Sequence, residues 1–295
     1  LSDPNINGRL FLCEEFQQGI GLVYVDGKAD AELGVAYDGS RAGLFPTNAR
    51  YLALHKGTMF VAGHQPGVIQ YSDPAYHEQF PPLNRFVLSS GGAQTGLVET
   101  PNGLYVFSEE TIHRIEGDAI AGWRIKTVAR NQGCVAPNTL QAIPGVGVFF
   151  VNAEGPKLLV ETPPSESGRE QPPQILPLVD AINRTWSRRV DLGRLSAAQA
   201  SPPVDGKIWL QVPADGAQDG SLTLGIVYDY LKGLVSLRTG YDVNCFAKWG
   251  DHLVYGGGRE YTGLQLITPG ASTIAGSSYT SKIRTPWLSF GSPYT

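Results

Sequence analysis

Apolar positions in this chain come in runs of three to five residues, cut by glycine, proline or asparagine, and the same grammar returns along its length. The clearest copy is Arg50 to Ser72, RYLALHKGTMFVAGHQPGVIQYS. Tyr51, Leu52 and Leu54 precede a Lys56-Gly57 turn; Met59, Phe60 and Val61 follow it; Val68, Ile69 and Tyr71 come after Gly67. Short β-rich runs bounded by turn residues predict hairpins. A fourth strand is expected at Arg85 to Leu88, after a proline-rich connection.

A second copy reads from Thr95 to Gly117, with Pro101-Asn102-Gly103 as its turn and Trp123 to Val128 as its fourth strand. Asn-Gly suits tight hairpins because both residues tolerate positive φ. A third copy starts at Thr139, with strands expected at Val148 to Val151 and Lys157 to Val160. A fourth, from near Arg194, places strands at Lys207 to Val212, Leu224 to Tyr230 and Leu234 to Leu237. A fifth comprises Cys245 to Trp249, Leu253 to Gly256 and Leu264 to Ile267. A fainter copy at the start covers Arg9 to Cys13 and Leu22 to Lys28.

The turn glycines Gly8, Gly57, Gly103, Gly147, Gly206 and Gly250 recur at roughly 45 residues, a period typical of four-stranded propeller blades. The fold expected is an all-β propeller of about six four-stranded blades over residues 1–270, with residues 271–295 as a linker and a strand. That strand, Thr280 to Phe290, either closes the ring or begins a further domain. The step from Gly147 to Gly206 is longer, and it holds a polar loop followed by Leu176, Val179, Ile182 and Trp186 at helical spacing. This predicts one short helical insertion, residues 161–189, on a blade.

Composition narrows the function. The net charge of -4 argues against a nucleic-acid or anionic-membrane surface as the main partner. No run reaches the roughly 18 apolar residues that crossing a bilayer as a helix requires. Cys13, Cys134 and Cys245 are scattered and read as small buried hydrophobes rather than a disulfide or metal framework. Neither a phosphate-binding loop nor Gly-x-Ser-x-Gly occurs, and the five histidines show no metal-ligand spacing. His77-Glu78 beside Asp73 reads as loop polarity rather than a carboxylate-imidazole pair. Trp123, Trp209 and Trp249 would line a channel mouth in a sugar binder, but blade-core roles are expected. No catalytic, cofactor or metal residues are assigned, and the chain is expected not to be an enzyme.

Four phrases carry a family resemblance: ALHKGTMFVAG (residues 53–63), VIQYSDPAYHEQFPPLNRF (68–86), GLVETPNGLYVFSEETIHRIEG (96–117) and GCVAPNTLQAIPGVGVFFVNAEGPKLL (133–159). Their order resembles tailed-bacteriophage virion proteins of the tail hub or nozzle type, tail tubular proteins that contain a β-propeller. Tyr71 to Pro74, Leu104 to Phe107 and Ile112 to Gly117 match the strand-and-turn phrases of that family. Leu234 to Ser236 stands where the family often has Trp-Ser, a departure that touches packing. The resemblance spans residues 49 to 267.

It implies a structural protein of the virion tail, forming a homo-oligomeric ring, sixfold, around the DNA channel. Neighbouring tail or adaptor proteins would be partners, and phage DNA would pass without sequence-specific binding. The alternative is a propeller of the virion that binds a receptor or glycan. Within the insertion, Glu161, Arg169, Glu170, Arg184, Arg188 and Arg189 are the candidate subunit contacts.

Overall fold

The computed structural model describes residues 10–11, 36–37, 43–74, 76–88, 92–161, 172–178, 182–216, 222, 224–239, 243–257, 264–267, 273–274 and 277–278. Two short strands, β1 (Leu10–Phe11) and β2 (Ala36–Tyr37), pair antiparallel near the start. The first blade is β3 (Tyr51–His55), β4 (Thr58–Ala62), β5 (Val68–Tyr71) and β6 (Arg85–Val87). The second is β7 (Gln94–Thr100), β8 (Gly103–Ser108), β9 (Thr111–Asp118) and β10 (Gly122–Arg130). The third is β11 (Gln141–Ile143), β12 (Gly147–Asn152), β13 (Gly155–Val160) and β14 (Gln174–Pro177). The fourth is β15 (Gln199–Ala200), β16 (Lys207–Val212), β17 (Leu224–Asp229) and β18 (Leu234–Thr239). The fifth has three described strands, β19 (Val243–Trp249), β20 (His252–Gly257) and β21 (Leu264–Ile267). A last two-stranded ladder joins β22 (Thr273–Ile274) to β23 (Ser277–Ser278).

Each blade is an antiparallel meander whose strands pair in chain order. The first strands of successive blades lie side by side, β3 with β7, β7 with β11 and β15 with β19. First strands are thus innermost and the chain winds outward through each blade. This is an all-β propeller, and its five described blades fall where Gly57, Gly103, Gly147, Gly206 and Gly250 put them; the strands expected at Leu22 to Lys28 and at Thr280 to Phe290 lie outside the described residues.

Stacking of blades explains why second strands read as unbroken apolar runs. Every residue of β8 and of β12 is buried, because a blade's middle strands are covered on both faces. Alternation then decides which neighbour each side chain meets. Leu104 and Val106 pack with Phe60, Ala62 and Ile69 of the first blade. Tyr105 and Phe107 turn the other way, to Val148, Phe150 and Leu159 of the third. Phe149, Val151 and Leu158 pack in turn against Ile208, Leu210 and Ile226 of the fourth. The outer strand β10 is mostly exposed, as its position dictates.

Gly147 shows why the period is marked by glycine. It holds φ at +147°, and a Cβ there would stand 1.8 Å from the Leu159 carbonyl oxygen. Only glycine fits that turn into β12 without moving the paired strand.

The helix differs from expectation. Leu176 lies in β14, paired with Leu158, and helix α1 spans only Asn183–Arg189. Pro172, Pro173 and Pro177 cannot continue a helix, while the third blade needs an outer strand along β13. The stretch 161–189 therefore contains a blade strand as well as the helix; Val179 lies outside the described residues. Ile182 and Trp186 are buried, joining the core between the third and fourth blades with Val190 and Leu195. The cysteine expectation also divides. Cys134 is buried, and burial pushes its thiol up to about 11. Cys245 is exposed on β19. Cys13 lies outside the described residues.

Candidate contact surface

The six candidate contact residues do not form one group. Arg184, Arg188 and Arg189 are exposed on α1. Trp186, 3% exposed, anchors the helix, and Val190 bridges to Ala214, which seats it against the fourth blade. Arg184 and Arg188, four apart, share a helix face, and Arg188 and Arg189 occupy the last turn, where positive charge suits the carbonyl end. No acidic residue occurs between Asn183 and Arg189. Among the described residues these three guanidinium groups make no ion pair, so the surface is a local basic patch on an acidic chain.

Glu161 is used inside the fold. Its Oε1 accepts a hydrogen bond from Thr100 Oγ1 at 2.6 Å, which ties the end of β13 to the last residue of β7. Beside it, Tyr105 is fully buried, and burial, aided by the Glu161 charge, pushes its hydroxyl far above the ordinary tyrosine range. Arg114, the cross-strand partner of Tyr105, bonds to Glu116, which also meets Lys126 Nζ at 2.6 Å. Burial opposes the Glu116 charge, yet the hydrogen bonds from Lys126 and Arg114 outweigh it and hold the carboxyl below its usual range. Arg169 and Glu170 lie outside the described residues.

Further polar ties join blades. His55 Nδ1 lies 3.1 Å from Glu99 Oε1, Lys56 Nζ donates to the Gly117 carbonyl at 2.8 Å, and Gln141 Nε2 donates to the Ala200 carbonyl at 3.3 Å. His77 Nε2 donates to the Gly57 carbonyl at 2.8 Å, holding its loop to the first blade's turn. Trp123 packs edge-on to Phe60 with ring centroids 5.0 Å apart, a blade-core role. Trp209 is half-buried on β16, whereas Trp249 is 71% exposed at the end of β19. Among the described residues no three His, Cys, Asp or Glu side chains gather as a metal site would require, and no helix is long and apolar enough to cross a membrane.

One feature escapes sequence reading. A cavity of about 440 Å³ opens between residues 43–48 and the first blade, with Asn48, His64, Gln70 and Arg85 in its wall. These residues come from a leading segment, a turn and two strands, so no local spacing announces them.

No protein family matches the chain, and no curated protein matches it. Solved structures similar to it are β-propellers at low identity. BamB from Moraxella catarrhalis aligns at 12% identity and a TM-score of 0.42, over 76% of this chain and 60% of that one. Kluyveromyces lactis Hsv2 aligns at 11% and 0.43, over 74% and 61%. The N-terminal domain of Nup159 aligns at 8% and 0.42, over 74% and 57%. The chain spans about three fifths of the length of these structures. The propeller assignment rests on the chain's own sheets.

Proposed function

We propose that this chain is a structural component of a phage virion tail, a hub or nozzle subunit that forms a ring around the DNA channel and acts through assembly rather than catalysis. The resemblance of its strand-and-turn phrases supplies the family. The observation that carries the assembly reading is the α1 arginine patch, displayed by a helix whose buried Trp186 fixes its direction. Three cations with no ion pair among the described residues, on a chain of net charge -4, favour a contact with acidic groups of another copy. Contacts between unlike patches of identical subunits close into rings when the rotation allows. Blades that bury their strands against one another leave loops and faces for lateral contacts.

Native mass spectrometry of the protein, alone and with its neighbouring tail proteins, tests this reading. One closed copy number is expected for the wild type, with loss of the ring in the Arg184→Glu, Arg188→Glu, Arg189→Glu triple variant. A ring indifferent to that reversal would remove the arginine patch from the interface.

A further inference from the structure

The cavity beside the first blade has the chemistry of a ligand site. Its polar wall is Thr47, Asn48, His64, Gln65, Gln70 and Arg85. Among the described residues, only Gln70 of these six has a side-chain hydrogen bond: its Nε2 donates to the carbonyls of Phe80 and Pro81 at 3.0 and 3.4 Å. That bond fixes the amide and leaves its oxygen as an acceptor. His64 Nδ1 is buried and meets no partner among the described residues. Buried polar groups are ordinarily hydrogen-bonded, so this nitrogen calls for a water or a ligand hydroxyl. Burial holds the His64 ring below its ordinary pKa of 6.5, so at neutral pH it is uncharged.

Among the described residues Arg85 is then the one charged group in the wall, and none of them that lines it is a carboxylate. A guanidinium fork matches a carboxylate in two parallel hydrogen bonds. The amides of Asn48, Gln65 and Gln70 and the Thr47 hydroxyl offer donors and acceptors side by side, which is what sugar hydroxyls, each both donor and acceptor, satisfy. Val68, Phe80 and Pro82 supply the apolar remainder, suited to the C–H face of a ring. Phe80 is itself held by an edge-on contact to Phe45, centroids 5.3 Å apart. A volume of about 440 Å³ suits one or two sugar units.

We propose that this cavity binds a uronic-acid sugar, with Arg85 taking the carboxylate and Asn48, Gln65 and Gln70 the hydroxyls. The site stands independently of the assembly reading, because none of its residues belongs to the α1 patch. The test is saturation-transfer NMR and calorimetry with glucuronate and with glucose, which differ by a carboxylate in place of a hydroxymethyl group. Glucuronate is expected to bind at about millimolar Kd, as a small isolated sugar should, and glucose at least tenfold more weakly. Arg85→Gln should bring glucuronate down to the level of glucose, and Gln65→Ala should weaken both. The melting temperature of each variant verifies its fold. Absence of glucuronate binding at roughly 20 mM, equal binding of the two sugars, or undiminished glucuronate binding by Arg85→Gln would overturn the proposal.

Discussion

Thr100 and Glu161 meet across two blades: the hydroxyl closing β7 donates to the carboxylate of the residue just after β13, at 2.6 Å. The same hydroxyl also lies 3.0 Å from the Gly103 carbonyl of its own turn, so the contact pins a hairpin of the second blade to the third. Glu161→Ala removes a charge-assisted bond and should cost about 1–2 kcal/mol in urea unfolding. It should leave the copy number of any assembly unchanged, because Glu161 faces its own fold. A variant as stable as wild type that failed to assemble would place Glu161 in the subunit contact instead.

Gly147 permits a sharper prediction. Any side chain there meets the Leu159 carbonyl and must hold a backbone conformation that L residues rarely adopt. Gly147→Ala should therefore cost on the order of 3 kcal/mol and lower the melting temperature by several degrees. Gly145, whose Cβ would meet nothing within 4 Å, serves as the control. Its φ of +73° strains alanine as well, but without a backbone collision, so Gly145→Ala should cost clearly less.

Acid should destabilise the fold in two stages. His113 is buried on β9, and burial, together with the Arg130 charge, holds its pKa below the ordinary 6.5. The unfolded chain then binds that proton more tightly than the native one. Stability is full above 6.5 and declines as pH falls from there towards the depressed native value. The carboxyl of Glu116 is shifted below its ordinary 4.5, so its contribution persists above 4.5 and is lost as pH falls through the lower native value. Urea midpoints measured stepwise from about pH 8 to about pH 3 should fall monotonically. His113→Gln should flatten the first stage and spare the second. An unchanged slope between pH 7 and 5 in that variant, roughly, would assign the first stage to other groups.

The blades were legible because two signals coincide at each of them: a turn glycine and an apolar run on the strand after it. Phe149 and Phe150 stand side by side in the chain yet belong to different cores, and an unbroken apolar run is how a strand covered on both faces must read. The outer strand β14 was illegible for the converse reason. Its four residues lie on a largely exposed edge among prolines, without alternation of apolar and polar positions, and Leu176 happened to fall in helical step with Ile182 and Trp186. The polar reading of the insertion was legible where it is local, as in the exposed arginines of α1. It misled at Glu161, whose partner Thr100 is remote in sequence and is brought close only by blade stacking. The cavity residues are scattered in the same way.

Imaging tailed particles for the presence of this chain tests the central proposal most directly. Density for its propeller, repeated in a closed ring around the tail channel with α1 at the seam between copies, is the predicted result. A strictly monomeric propeller found outside any particle would contradict it.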